Sequence, residues 1–463
     1  MQASSDTIAA IATARGRAAL GIVRISGPEA VAIAAACFEG ADLREAASHT
    51  AHVGYVASRE GIRIDQVVAT LFRAPRSATG EDVVECSCHG GDFASRLVLN
   101  RMLEEGARLA APGEFTQRAF LNGKMDLAQA EAVADLIRAS SSLAHRVSVS
   151  HLQGRYSEVL ADVRADLLEL CAFLELELDF SEEDVAFADR ERLEALLDGS
   201  EKLLDELLRS WRLGRRVRDG VRVVIGGRPN AGKSTLLNAL LGSDRAIVSP
   251  VPGTTRDEVE GEAEIDGLLF RFTDTAGLRD AADAIEAEGV LRAERAIERS
   301  DVLVYVYDIT AGMDAGERAF IEAIAERGAP PVLLVANKTD LLKQDDGPIN
   351  GGGQPDVFAL SAKRAFRDEK ELQPLIACLL ETAGGDLSLS EGSLVVTNER
   401  HRNHLRKALD AVQAARRSLG AGSTGELLAL DLRVALHEIG AITGEITNED
   451  VLDQIFSRFC IGK

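Results

Sequence analysis

A chain of 463 residues has room for about three domains, and with 46% hydrophobic but only 4% aromatic residues its cores must be Leu, Ala, Val and Ile, which favours helices. Its formal net charge of −22 excludes broad adhesion to nucleic acid, though not a local basic contact. No apolar run nears the roughly 18–20 residues of a membrane span, Met1 to Asp6 lacks a secretory signal, and six scattered cysteines without Cys-x-x-Cys suggest neither disulfides nor zinc. A reducing, cytoplasmic setting is expected. Residues 1–120 read as an α+β domain. Gly21–Gly27 and Gln66–Phe72 are strand-like, and Pro28 opens a helix running from Ala30 to Cys37. Compact polar–glycine motifs follow: Thr79-Gly80-Glu81-Asp82, His89-Gly90-Gly91 and Pro112-Gly113-Glu114-Phe115-Thr116. Spacing does not say what they bind. Cys86, Cys88 and His89 fit either metal ligands or, more simply, alternation on one strand.

Residues 121–219 carry helical signals. Leu160, Val163, Leu167, Cys171, Leu174 and Leu178 step by three or four and place an apolar stripe on one face. Arg209, Arg212, Arg215, Arg216, Arg218 and Arg222 then surround Trp211, the single tryptophan. Both a solvated linker and an RNA contact fit that cluster. Residues 220–381 alternate strand and helix signals, as a doubly wound α/β domain does. After 382 helical spacing returns through Leu405, Leu409, Val412, Leu427, Leu428, Leu432, Leu436 and Ile439. The two helical flanks, 121–219 and 382–463, are expected to pack as one domain with the α/β segment inserted; two separate appendages are the alternative.

The α/β segment holds four pieces of a guanine-nucleotide site. Gly227 to Ser234 satisfies G-x-x-x-x-G-K-[ST] between a strand, Val221–Ile225, and a helix beginning near Thr235. In such a loop the N–H groups of Asn230, Ala231, Gly232 and their successors face phosphates, Lys233 reaches the β- and γ-phosphates, and the Ser234 hydroxyl holds Mg²⁺. Asp274-Thr275-Ala276-Gly277 ends a second strand pattern, where a carboxylate meets Mg²⁺ through water. Asn337-Lys338-Thr339-Asp340 ends a third; Asp340 can accept from both N1–H and the 2-amino group of guanine, a donor pair that adenine lacks. Ser361-Ala362-Lys363 follows a fourth and can offer backbone to guanine O6. The expected nucleotide is GTP.

The GTP-binding segment, the stretches GIVRISG, TGEDVVE, HGG and PGEFTQRAF, and the ending Phe459-Cys460-Ile461-Gly462-Lys463 together resemble the MnmE (TrmE) family of bacterial and organellar tRNA-modification GTPases, from the first strand to the last residue. The resemblance implies an N-terminal tetrahydrofolate-binding and dimerisation domain, a helical domain, and an inserted Ras-like P-loop GTPase. It implies modification of the wobble uridine of certain tRNAs at carbon 5, to aminomethyl or carboxymethylaminomethyl. A homodimer would act with the flavoprotein MnmG (GidA), as a heterotetramer, with no membrane. A 5-formyl- or 5,10-methylene-tetrahydrofolate would carry the one-carbon unit, and the partner would supply FAD and use NADH. Arg24, Glu85, Lys124 and Lys463 match the family's folate contacts; on residue type alone each is more simply a surface ion-pair residue. Cys460 matches a near-terminal cysteine with a redox or covalent role, though a small buried hydrophobe is the alternative.

Leu278 stands where many small GTPases carry a water-orienting glutamine. Asn230, with the loop bearing Ser249, Val251 and Thr254, is the candidate K⁺ site, completed by dimerisation of the GTP-binding domains in the family. Ser249, Thr254 and Thr255 also belong to the expected GTP site, with Thr255 matching a Mg²⁺ ligand. Glu286 matches the glutamate that orients water through a second water, and Arg279 steadies the same segment. A pure GTPase switch in ribosome or RNA assembly, its N-terminal domain only a dimerisation scaffold, is the competing function.

Overall fold

In this computed structural model, residues 6–179, 190–242, 261–274, 294–328, 330–342, 357–384, 394–421 and 425–462 are described. The first strands and helices are β1 (Ile8–Ile11), β2 (Leu20–Ser26), α1 (Ala30–Cys37), β3 (Phe38–Glu39), β4 (Thr50–Ala57), β5 (Arg63–Phe72), β6 (Val83–His89), α2 (Asp92–Glu104), β7 (Arg108–Leu109), α3 (Glu114–Leu121), α4 (Leu127–Arg138), α5 (Ser142–Leu152) and α6 (Arg155–Asp179). Then come α7 (Arg190–Asp219), β8 (Val221–Gly226), α8 (Lys233–Leu241), β9 (Gly261–Ile265), β10 (Leu268–Asp274), helical residues 294–299 (α9), β11 (Val302–Asp308), α10 (Ala315–Glu326) and β12 (Val332–Asn337). The last are β13 (Val357–Ala359), α11 (Ala362–Ala365), α12 (Gln373–Gly384), α13 (Glu399–Gly420), α14 (Gly425–Thr443) and α15 (Glu449–Phe456). They form two compact units: Met1–Ala134 with His151–Glu175 and Ala429–Lys463, and Asp135–Ser150 with Leu176–Leu428.

In the first unit alternating residues build a seven-stranded sheet of order β3-β4-β5-β6-β2-β1-β7. One face buries Val23, Ile25, Val67, Ala69, Leu71, Val84, Cys86 and Cys88 with residues of α1 and α2. The intervening positions put Arg24 of β2 opposite Glu85 of β6. The stripe on α6 is buried as its spacing requires: Leu160, Val163, Leu167, Cys171 and Leu174 are at most 7% exposed. The C-terminal segment is held here too. Ile461 bridges Pro112, the Gly113 N–H donates to the Cys460 carbonyl at 3.3 Å, and Phe456 and Phe459 pack with Leu127 and Leu452.

In the second unit a six-stranded sheet has the order β13-β12-β11-β8-β10-β9. All neighbouring pairs are parallel except β9–β10, so the sheet is the doubly wound kind with an antiparallel edge strand. Its strands read as continuous apolar runs because both faces are covered: Val302, Val304, Val306, Val335, Phe270 and Phe272 are fully buried. Helix α7 leads into β8 through Gly220 alone, at φ +80°. It lies antiparallel to α13, with Arg402 over the Trp211 ring and Arg416 on Glu201 near the other end. Just ahead of α13 the chain passes so close to α7 that a Cβ at Gly214 would sit 2.0 Å from the Val396 carbonyl oxygen.

The helical spacing read after residue 382 includes one residue that the core does not. Leu427 is 53% exposed, and the buried stripe of α14 runs through Leu428, Leu432, Ala435 and Ile439 instead. A step of four from Leu428 holds that stripe on one side, and Leu427 lies 100° round from Leu428.

Candidate functional site

The phosphate-loop motif sits where its residue types require. A Cβ at Gly227, φ +138°, would fall 2.0 Å from the Val306 carbonyl oxygen, and one at Gly232, φ +96°, 2.1 Å from Asn337 Nδ2. Only glycine fits either position. Asn230 takes the left-handed conformation, at φ +64°, that asparagine tolerates, and its side chain is exposed. Helix α8 starts at Lys233 with no side-chain cap, so its first-turn N–H groups, including that of Thr235, suit an anion. Lys233 is buried, with Nζ donating to the Arg228 carbonyl at 3.0 Å. The Ser234 hydroxyl donates to Asp274 Oδ2 at 2.9 Å. Asp274 ends β10, in parallel register with Ile225 of β8, and is 1% exposed.

The guanine-type motifs close on the same strand ends. Asn337 Nδ2 donates to the Ala231 carbonyl at 2.8 Å, and Asn337 Oδ1 accepts from the Ala362 N–H at 2.9 Å. One buried amide thus ties phosphate loop, third motif and fourth motif together. The Ser361 hydroxyl donates to Asp340 Oδ1 at 2.6 Å and holds that carboxyl below its ordinary value, so Asp340 stays an acceptor. Lys338, left-handed at φ +71°, reaches Asp308 Oδ2 at 2.6 Å. Burial pushes the Asp308 carboxyl up, but Lys338 and Thr310 outweigh it and the net displacement is downward. Lys363 follows in the first turn of α11. Asp308, at the C-terminal end of β11, was missed in the sequence; a lone Asp ending a strand beside a P-loop was the available signal.

Ser234 and Asp274 give one hydroxyl and one carboxylate, a donor set that fits Mg²⁺, which keeps several waters and phosphate oxygens among its ligands. Among the described residues no group of three or more His, Cys, Asp or Glu is arranged for a metal ion, and Cys86 and Cys88 are core residues. Burial pushes the Cys86 thiol up to about 12. Ser249, Val251, Thr254, Thr255, Thr275, Ala276, Gly277, Leu278, Arg279, Glu286 and Lys463 lie outside the described residues.

In the first unit Arg24 and Glu85 meet directly. Arg24 Nε and Nη2 both reach Glu85 Oε1 at 2.7 Å, and the guanidinium lies 5.7 Å from the Phe115 ring centroid. Lys124 donates to the Pro75 carbonyl at 3.1 Å. Cys460 is exposed, so the buried-hydrophobe reading of it fails. The TGED and PGEFTQR motifs have a structural account that spacing could not give. Ser26 meets Thr79 and Glu81, while Arg118 joins Glu81, Glu114 and Asp6 and Arg108 clamps Glu114.

The family described as "GTP-binding protein TrmE N-terminus" matches residues 7–124, and that described as "MnmE helical domain" matches residues 127–460. A protein of Salinibacter ruber named tRNA modification GTPase MnmE is 62% identical over 99% of both chains. Its namesake in Cytophaga hutchinsonii is 43% identical over 99% of this chain and 98% of its own.

Proposed function

The chain belongs to the MnmE family of tRNA modification GTPases, and from that premise we propose that it hydrolyses GTP to drive modification of the wobble uridine of certain tRNAs at carbon 5. The observation that carries the GTPase part is the linked set Ala231–Asn337–Ala362 and Asp340–Ser361, which binds a phosphate loop and a guanine-type acceptor into one rigid pocket edge. In this reading Lys233 and the α8 N–H groups neutralise the phosphates. Ser234 and Thr255 hold Mg²⁺, with Asp274 meeting it through water, and the ion supplies charge neutralisation on the β- and γ-phosphates. Asn230, Ser249, Val251 and Thr254 hold K⁺ once two GTP-binding domains meet, Arg279 steadies the adjoining segment, and Glu286 orients the water that Leu278 cannot. Residues 220–381 form the GTPase inserted between helical segments 121–219 and 382–463.

Residues 1–120 bind the folate and dimerise in the same proposal, and the cytoplasmic partner is the flavoprotein MnmG with its FAD and NADH. Both contacts from Arg24 use Glu85 Oε1, which leaves Oε2 as an acceptor for the donor edge of a pterin. Lys124 and Lys463 supply cations for the folate carboxylates, and Cys460 is available for a covalent or redox role.

Two measurements test the proposal. GTP turnover in K⁺ should exceed that in Na⁺ at matched ionic strength; equal rates would remove the K⁺ site. Binding of 5-formyl-tetrahydrofolate should weaken about tenfold or more in Arg24→Ala and Glu85→Ala, the cost of one lost charged hydrogen bond each. No binding by the folded parent would leave a GTPase switch with a scaffold domain.

A further inference from the structure

The helix pair α7–α13 carries its charge unevenly. Residues 191–206 of α7 hold six carboxylates against two cations. Residues 209–218 of α7 and 400–407 of α13 hold nine arginines and lysines and no carboxylate. The antiparallel packing puts these two basic stretches side by side, with Arg402 over Trp211 at 5.3 Å from the ring centroid. A chain of net charge −22 therefore concentrates cations at one end of one helix pair.

Part of this concentration is structural. Arg215 and Arg216 reach the buried Asp301, Arg218 reaches Asp135, and Arg209 reaches Asp205. Cations at the C-terminus of α7 also suit its dipole. The α13 cations do not: Arg400 and Arg402 lie in the first turn, where the dipole opposes positive charge. The helix dipole gives no reason for them. Arg212 and Arg406 are exposed and have no ion-pair partner among the described residues, while Arg406 stands one turn from Arg402. An indole flanked by arginines is the pattern that meets a phosphate backbone and its bases.

We propose that this basic end of α7 and α13, centred on Trp211, Arg212, Arg402 and Arg406, is the surface that receives the phosphate backbone of the tRNA. The assignment rests on the tRNA reading above and adds where the nucleic acid docks. Because Trp211 is the single tryptophan, its fluorescence reports on this surface and no other.

The test titrates full-length protein with an unmodified tRNA transcript carrying a uridine at the wobble position. Affinity and Trp211 fluorescence are read at several salt concentrations. The parent is compared with Arg212→Glu/Arg406→Glu and with Arg15→Glu/Arg17→Glu, which changes net charge equally in the first unit. GTP turnover and thermal unfolding confirm that each variant is intact. The expected result is Trp211 quenching in the parent and about tenfold or weaker binding in the α7–α13 variant, with a salt slope reduced by about two. The Arg15/Arg17 variant should bind as the parent does. Equal loss in both variants, or tRNA binding that leaves Trp211 fluorescence and the α7–α13 variant unaffected, overturns the assignment. Loss of flavoprotein binding in that variant with tRNA affinity intact also overturns it, in favour of an acidic protein partner. A parent that binds no tRNA even at low salt removes the tRNA reading itself.

Discussion

Asn337→Ala separates two ways in which the guanine-type motif can serve the nucleotide. The side chain bridges the Ala231 carbonyl at 2.8 Å and the Ala362 N–H at 2.9 Å, and the residue is 3% exposed. Truncation strands both backbone groups, at about 1–3 kcal/mol each. If one of those losses falls on the nucleotide-bound state, affinity drops by about five- to hundredfold. The assay is titration with a fluorescent GDP, displaced by unlabelled GDP or by inorganic tripolyphosphate. Asp340→Ala is the companion, since it removes the guanine acceptor and leaves the brace on the phosphate loop intact. Asn337→Ala should weaken GDP and tripolyphosphate together; Asp340→Ala should weaken GDP alone. Tripolyphosphate binding by Asn337→Ala equal to the parent's would refute the brace.

Gly232→Ala sets a Cβ 2.1 Å from Asn337 Nδ2 at φ +96°, so overpacking of about 1–3 kcal/mol should lower GDP affinity about fivefold or more; unchanged affinity would contradict the close approach. Gly214→Ala drives a Cβ into the Val396 carbonyl and should lower the urea midpoint by a similar free energy, and an unshifted midpoint would show that α7 and the segment leading into α13 separate freely. For acid stability the relevant group is Glu114. Burial raises its pKa, but Arg108, the Ala111 N–H and Arg118 outweigh burial and the net shift is downward. A depressed carboxyl stabilises the fold above its unfolded pKa of about 4.3 and loses that contribution as pH falls through the lower folded value. Denaturant unfolding followed from about pH 5 to about pH 3 should therefore show a shallower acid limb in Glu114→Gln than in the parent; identical limbs would discount the Arg108–Arg118 clamp.

The nucleotide site was legible because each motif ends an apolar strand, and strand ends converge on one edge of a parallel sheet. Asp274, Asn337 and Ser361 are placed by the apolar runs Leu268–Phe272, Val332–Ala336 and Val357–Leu360 alone. The first unit was less legible. Two of its seven strands were read outright and β6 only as the alternation at Cys86 and Cys88, because β1 is four residues long, β4 carries His52 and Gly54, and β6 mixes Glu85 and Ser87 into an apolar run. The Arg118 cluster lay beyond local spacing altogether, since Asp6 is 112 positions away and Glu81 37. The arginines around Trp211 divided for the same reason: Asp301 and Asp135, which neutralise three of them, are remote in sequence.

Helix α7 has one further property. Its 30 residues at about 1.5 Å each make a rod about 45 Å long. The rod joins the strand that precedes the phosphate loop through a single residue, and Asp301 at the head of β11 grips Arg215 and Arg216 near that joint. Such a rod is a lever with its fulcrum at the far end of β8, one six-residue strand or about 20 Å from the phosphate loop. A tilt of about 5° at the clamped end sweeps the far end through about 4 Å, so an adjustment too small to disturb the sheet is magnified to the width of a side chain.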